Sequence, residues 1–150
     1  MDIKTRQVIR EDKEIILDIL RDEIGRQYAE EINWEIDDVI YKRRNARGIV
    51  MINPEIIGYA SWRKRVESIC LETIGIRREL RGGGFGSELL KKAIEFAKVD
   101  FPNAQMINLV TDADARRNIS FYAKNGFEAS GIVNDEFIYG TPQIHMSLKI

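Results

Sequence analysis

The stretch Leu80-Arg81-Gly82-Gly83-Gly84-Phe85-Gly86-Ser87 stands between an apolar segment, Ile69 to Ile76, and a segment whose apolar residues recur at helical spacing. A loop this rich in glycine can turn several backbone N–H groups toward one point, and it lets an anion approach without meeting side chains. The helix that follows adds its unpaired first-turn donors and the positive end of its dipole. Arg81, with Arg77 and Arg78 nearby, adds positive charge. The loop chemistry fits a diphosphate.

Other phosphate loops fit less well. A Walker loop ends in Gly-Lys-Ser/Thr, whereas Gly86 is followed by Ser87 and Glu88. A dinucleotide fingerprint would place glycine or alanine where Leu89 stands, and Asp112 comes too late to be its acidic partner. A glycine turn with no ligand is the plain alternative.

Working outward, Val66 to Ile76 reads as a strand apolar on both faces, as a central strand covered on both sides would be. From Ser87 to about Lys98, Leu89, Leu90, Ala93, Ile94 and Ala97 form one helical stripe. Met106 to Thr111 is a further buried strand, and Ala115 to Asn125 a short helix closed by Asn125-Gly126. The tail supplies strands over Phe127–Val133 and Gln143–Ile150. Upstream, Lys4–Arg10 alternates as a strand, and Ile15, Ile16, Ile19, Leu20 and Ile24 predict a helix over Glu11–Tyr28. A second helix is expected over Asp37–Asn45 with Asp37 as its N-cap. Gly48–Ile52 and Ile56–Lys64 read as strands joined by a turn at Asn53-Pro54. The order β-α-α-β-β-β-α-β-α-β-β predicts a three-layer α/β/α fold around a mixed sheet.

Composition bounds the function classes. The 150 residues suit one domain, spanning 1–150, with no repeat or linker to divide it. Lys and Arg total 23 against 24 Asp and Glu, so bulk charge gives no reason to expect nucleic acid as a partner. One cysteine, Cys70, and one histidine, His145, exclude a disulfide framework and a Cys/His metal cluster. No run approaches the ~18 apolar residues of a membrane span, and no secretory signal is visible, so neither membrane nor metal is expected. The default expectation is a cytoplasmic protein.

Arg81-x-x-Gly84-x-Gly86 resembles the signature of the GNAT superfamily of N-acetyltransferases, Gln/Arg-x-x-Gly-x-Gly/Ala after a central strand. A second segment, Asn118 followed by Phe121-Tyr122-Ala123-Lys124-Asn125-Gly126-Phe127, is similar to the same family's later motif. Two motifs in order on the right elements are far more specific than either alone. The resemblance implies a mostly antiparallel sheet of six or seven strands with about four helices. It also implies a site for acetyl-coenzyme A, with the pyrophosphate on the amides of Gly82, Gly83, Gly84, Phe85, Gly86 and Ser87. Ile74 and Ile76 would offer backbone groups to the pantetheine arm. Gly75 would mark the bulge that splays two strands, and Asn118 would touch the cofactor.

Acetyl transfer to an amine needs a base for the ammonium and an acid for the departing thiolate. Glu72, the one carboxylate in Ile69–Ile76, is the expected base, on the reading that burial there raises its pKa. The other reading is a Glu paired with an Arg or Lys of a neighbouring strand. Tyr122, at the family's tyrosine position, is implied as the acid beside the coenzyme sulfur. Cys70 reads as a small buried hydrophobe, His145 as structural, and Lys91-Lys92 as solvated surface. Trp34 and Trp62 suit an acceptor pocket or the core equally.

The expected activity is N-acetyl transfer to a primary amine, carried by a small molecule or a protein. A non-catalytic acyl-coenzyme A sensor on the same fold is the alternative. Tyr28, Trp34 and Tyr41 lie in the third of the chain expected to shape acceptor choice, and the family's habit of pairing through late strands adds a homodimer.

Overall fold

The computed structural model describes residues 2–21 and 28–150. Its seven strands are β1 (Lys4–Gln7), β2 (Ala46–Ile52), β3 (Ile56–Arg65), β4 (Ser68–Ile76), β5 (Met106–Asp112), β6 (Glu128–Val133) and β7 (Gln143–Lys149). The helices are α1 (Lys13–Leu20), α2 (Ala29–Ile40), α3 (Phe85–Asp100) and α4 (Arg116–Lys124). The strands form one sheet in the order β1-β2-β3-β4-β5-β7-β6. Every neighbour pair is antiparallel except β4 with β5. The mixed, mostly antiparallel sheet and three-layer arrangement are those expected from the sequence.

Each face of the sheet has its own core. On one face, Ile16, Ile19 and Leu20 of α1 and Ile36 and Val39 of α2 pack against Val50, Ile56 and Tyr59. On the other, Leu89, Leu90, Ala93 and Ala97 of α3 lie on Met51, Trp62, Leu71, Ile76, Ile107 and Leu109. Each fully buried leucine of that stripe contributes on the order of 1.5–3 kcal/mol. Ile119, Phe121 and Tyr122 of α4 join this second cluster.

Most boundaries shift by one to a few residues from the expected ones, and three have a clear local cause or limit. β1 stops at Gln7 because the chain turns at Arg10–Asp12. There the Asp12 carboxylate accepts the Ile9 amide at 2.9 Å and both terminal nitrogens of Arg6, at 2.7 and 3.0 Å. Burial alone would favour neutral Asp12, but these donors outweigh it and hold its pKa below the usual carboxylate value. β4 begins at Ser68, since Val66 adopts a positive φ of 50° at the tip of the β3–β4 hairpin. The expected first helix is realised as α1, and its stretch at 22–27 lies outside the described residues.

The second helix is displaced. It runs from Ala29 to Ile40 and not from Asp37 to Asn45, and Asp37 sits inside it, bound to Lys13 Nζ of α1 at 2.9 Å. Lys42, Arg44 and Asn45 all take positive φ, which ends any helix there. The true face is Ile32, Ile36, Val39 and Ile40. Its pattern is broken by Glu35, a carboxylate at a core-facing position.

Among the described residues, no helix is long and apolar enough to cross a membrane.

Candidate functional site

β4 and β5 pair only where Ser68–Cys70 face Met106–Asn108, and beyond Cys70 the two strands part. From Leu71 onward β4 is held by β3 alone. The Arg77 amide donates to the Ile57 carbonyl at 2.8 Å, and Gly75 faces Tyr59. Because backbone groups alternate sides along a strand, Ile74 and Ile76 turn theirs away from β3 and into the split. The Ile76 carbonyl accepts Arg81 Nε at 3.1 Å, which draws the glycine loop against the end of β4.

The bulge in β4 is not at Gly75, which keeps regular register with Tyr59. Ser61 faces Thr73 while Trp62 faces Leu71, so Glu72 is the extra residue. A bulge re-aims neighbouring side chains. Here both Glu72 and Thr73 find partners on the α2 side of the sheet.

At the start of α3, Gly82 and Gly84 adopt φ of +80° and +88°, a left-handed conformation that side chains rarely accept. A Cβ at either position would meet nothing within 4 Å, so the backbone there is bare on its outer side. Among the described residues, no backbone carbonyl takes the amides of Gly82, Gly83, Gly84, Phe85, Gly86 or Ser87. These are the donors expected to meet a diphosphate, at the positive end of a 16-residue helix. A groove of about 480 Å³ adjoins the loop, lined by Gly84, Ser87, Glu88, Lys91 and Asn125 among others.

α4 packs beside this loop. Gly86 lies so near Phe121 that a Cβ would stand 3.2 Å from its ring. Asn125 Nδ2 donates to Ser87 Oγ at 3.2 Å and to the Phe121 carbonyl at 2.8 Å, a link between the two motifs that sequence reading did not single out. The half-buried Tyr122 ring is held edge-on by Phe121 and Phe127, with centroids 5.2 and 5.6 Å away. Tyr122, Ile74, Phe85 and Phe121 pack on the same core cluster, so the end of β4, the start of α3 and α4 share one side of the sheet. Asn118 is exposed on α4.

The expected burial of Glu72 is not found. Its side chain is 22% exposed, and its carboxylate accepts Arg63 Nε from β3. Arg63 also binds Asp38 of α2 at 3.1 Å. The bulge explains this, because it turns Glu72 out of the apolar run toward a cation.

Sequence reading missed Glu35, a buried carboxylate on α2. It is 9% exposed and takes the Thr73 hydroxyl on Oε1 at 2.7 Å and the Tyr59 hydroxyl on Oε2 at 2.9 Å. Burial, reinforced by the charge of Glu72, pushes its pKa up to about 6 even though the Thr73 and Tyr59 hydroxyls favour the carboxylate. The Tyr59 hydroxyl, wholly buried beside it, is pushed well above its ordinary range and stays a neutral donor. A signal was present: Ile32, Ile36 and Val39 mark an α2 face that Glu35 shares.

The remaining residues take plainer places. The Cys70 thiol is pushed up by burial and by Glu72, which leaves it protonated. Trp62 is a core residue at 2% exposure, whereas Trp34 is 65% exposed on α2. His145 Nε2 lies 2.7 Å from Glu136.

The sequence matches the profile of the Acetyltransferase (GNAT) family over residues 13–127. No curated protein matches it. Among solved structures, the fold is similar to that of a GNAT-family protein from Desulfovibrio desulfuricans, at TM-score 0.87 and 14% identity over 99% of each chain. It is also similar to the ribosomal-protein-S18-alanine N-acetyltransferase of Escherichia coli, at TM-score 0.81 and 14% identity over 99% of this chain and 94% of that one. An acetyltransferase of Bacillus subtilis in complex with CoA superposes at TM-score 0.76 and 20% identity, over 99% of each chain.

Proposed function

Because this chain belongs to the GNAT acetyltransferase family, we propose that it carries an acetyl group from acetyl-coenzyme A to a primary amine, by direct attack while both substrates are bound. The observation that carries the reading is the run of amides from Gly82 to Ser87, uncommitted to backbone carbonyls, at the start of α3 beside the split between β4 and β5. The fit to coenzyme A is chemical. Its diphosphate matches those donors and the helix dipole, and the left-handed Gly82 and Gly84 leave the backbone open to it.

When bound, acetyl-coenzyme A supplies an activated thioester and a thiol leaving group. The chain's residues supply the rest. The loop amides and Arg81 hold the diphosphate end, with Asn118 near it on α4. Backbone groups of Ile74 and Ile76, with Gly75 between them, align the arm along the open side of β4. The Ile74 N–H is placed to stabilise negative charge developing on the acetyl oxygen, a kind of contribution worth about 3 kcal/mol. The Tyr122 hydroxyl protonates the departing sulfur.

Titration calorimetry with coenzyme A and acetyl-coenzyme A, followed by thiol release over a panel of primary amines, tests this reading. Binding together with release supports it. Binding without release for every amine makes the protein an acyl-coenzyme A binding module, and no binding at all ends the reading.

A further inference from the structure

Glu35 is a buried carboxylate on the face of the sheet covered by α1 and α2, and its links do not require a charge. A glutamine could accept the Tyr59 hydroxyl with its oxygen and donate to Thr73 with its nitrogen, without the penalty of burying an anion. A carboxylate held at such a site is a candidate for proton chemistry. Its surroundings place it for that work. Thr73 lies on the part of β4 already parted from β5, next to Ile74, whose N–H points into the split. Glu35 itself is shielded from solvent, while Thr73 is only partly buried. A hydroxyl that donates to Glu35 at 2.7 Å still has lone pairs free to accept from an incoming ammonium.

We propose that Thr73 and Glu35 form a two-step proton relay that deprotonates the acceptor ammonium for attack on the thioester. This rests on the acetyl-transfer reading above and names its proton acceptor, which sequence analysis had placed on Glu72. The ammonium N–H passes its proton to Thr73 Oγ1 as the Thr73 proton moves to Glu35 Oε1. The freed amine lone pair forms the C–N bond, the C–S bond breaks, and the sulfur takes the Tyr122 proton. The nitrogen's second departing proton returns through water to the Tyr122 oxygen, and Glu35 releases the first to solvent. One proton is released per acetyl group moved.

The charged and titratable groups around Glu35 come from each packed element. β4 contributes Glu72 and β3 contributes Tyr59 and Arg63, the latter bridging Glu72 and Asp38. On α1, Lys13 is engaged by Asp37 of α2. With Arg63 engaged by two carboxylates, the net effect is to keep Glu35 ready to accept a proton near neutrality.

The test is the pH profile of kcat/KM with acetyl-coenzyme A and whichever amine the wild type accepts from a panel of an aminoalkane, a diamine, a lysine peptide and an alanine-initiated peptide. In the wild type, activity rises through a limb centred near pH 6. Glu35→Gln is expected to lose that limb and about 100-fold or more in kcat, with coenzyme A affinity unchanged by calorimetry. Thr73→Val, which leaves the Tyr59 bond to Glu35 in place, should show the same loss, and Thr73→Ser should restore the rate to within about threefold. If Glu35→Gln does not fold, the two Thr73 variants decide. A folded Glu35→Gln or Thr73→Val that keeps both the limb and kcat overturns the relay, as does Glu72→Gln abolishing the limb while Glu35→Gln retains it. Wild-type protein that binds coenzyme A yet acetylates no amine overturns the acetyl-transfer reading itself, a failure separate from that of the relay.

Discussion

Gly48 of β2 lies so close beneath Val39 of α2 that a Cβ on it would stand 2.7 Å from Val39 Cγ1 and 3.0 Å from the Ala60 carbonyl. The helix bearing Glu35 thus rests directly on backbone. This contact fixes how far the Glu35 carboxylate reaches into the sheet, where Thr73 and Tyr59 take it up. Gly48→Ala should push α2 outward and destabilise the fold by about 1–3 kcal/mol, the usual penalty of overpacking. Urea unfolding measures the loss. The same variant should lose acetyl-transfer rate while binding coenzyme A as the wild type does, because the glycine loop lies across the sheet from α2. An unchanged unfolding midpoint would mean that the helix has room to give.

Stability should peak in mildly acidic solution, with Glu35 setting one side of the peak. Its pKa is raised from 4.5 to about 6 on folding. Between those values the folded chain holds a proton that the unfolded chain has lost, so stability falls as pH rises through the window, by about 2 kcal/mol in all. On the acid side Asp12 acts in the opposite sense. Its folded pKa lies below 3.8, so its contribution is present above that value and disappears as pH falls through the folded pKa. Melting temperatures measured from pH 3 to 8 should show both slopes, and Glu35→Gln should flatten only the one between 4.5 and 6. A wild-type curve level across that window would place the Glu35 carboxylate in a wetter setting than its contacts imply.

The parts of this architecture written in local pattern were readable before any coordinates. Leu89, Leu90, Ala93 and Ala97 form a helical stripe, and Gly82 to Gly84 break any regular element before it, so the strand–loop–helix unit follows from sequence. The α2 side was hidden for a physical reason. Glu35 places a charge where a helix face should be apolar, and that single residue disguised both the helix and a carboxylate whose pKa is raised to about 6. The bulge was hidden for another. Whether Glu72 or Gly75 is the extra residue depends on pairing with Ser61 and Trp62, a cross-strand register that no property of β4 alone reveals. Burial of Glu72 was therefore inferred from its apolar neighbours, while its side chain had been turned toward Arg63.

Tyr122→Phe isolates one hydroxyl. The ring contacts to Phe121 and Phe127 do not involve the oxygen, so the variant keeps them. If the hydroxyl protonates the leaving sulfur, kcat should fall by about 100-fold with the coenzyme A dissociation constant nearly unchanged. A thioester whose thiol has a lower pKa needs less protonation, and should recover part of the rate. Equal losses in rate and in affinity would assign the hydroxyl to holding the coenzyme.

Gly84→Ala tests the proposed anion site apart from the rest of the protein. Gly84 caps α3 at φ +88°, and Glu88 donates back to its carbonyl at 3.2 Å, so the residue sets the direction in which the helix starts. Alanine meets no atom within 4 Å there, which leaves backbone strain, about 1–2 kcal/mol, as the whole local penalty. The added methyl also stands on the bare outer side of the loop, where the proposed reading puts the diphosphate. Affinity for coenzyme A should therefore fall by at least tenfold in calorimetry, while affinity for pantetheine, which lacks the diphosphate, changes little. The contrast between the two ligands is the decisive reading, since global destabilisation would weaken both alike. Equal loss for both would place the diphosphate away from the amides of Gly82 to Ser87.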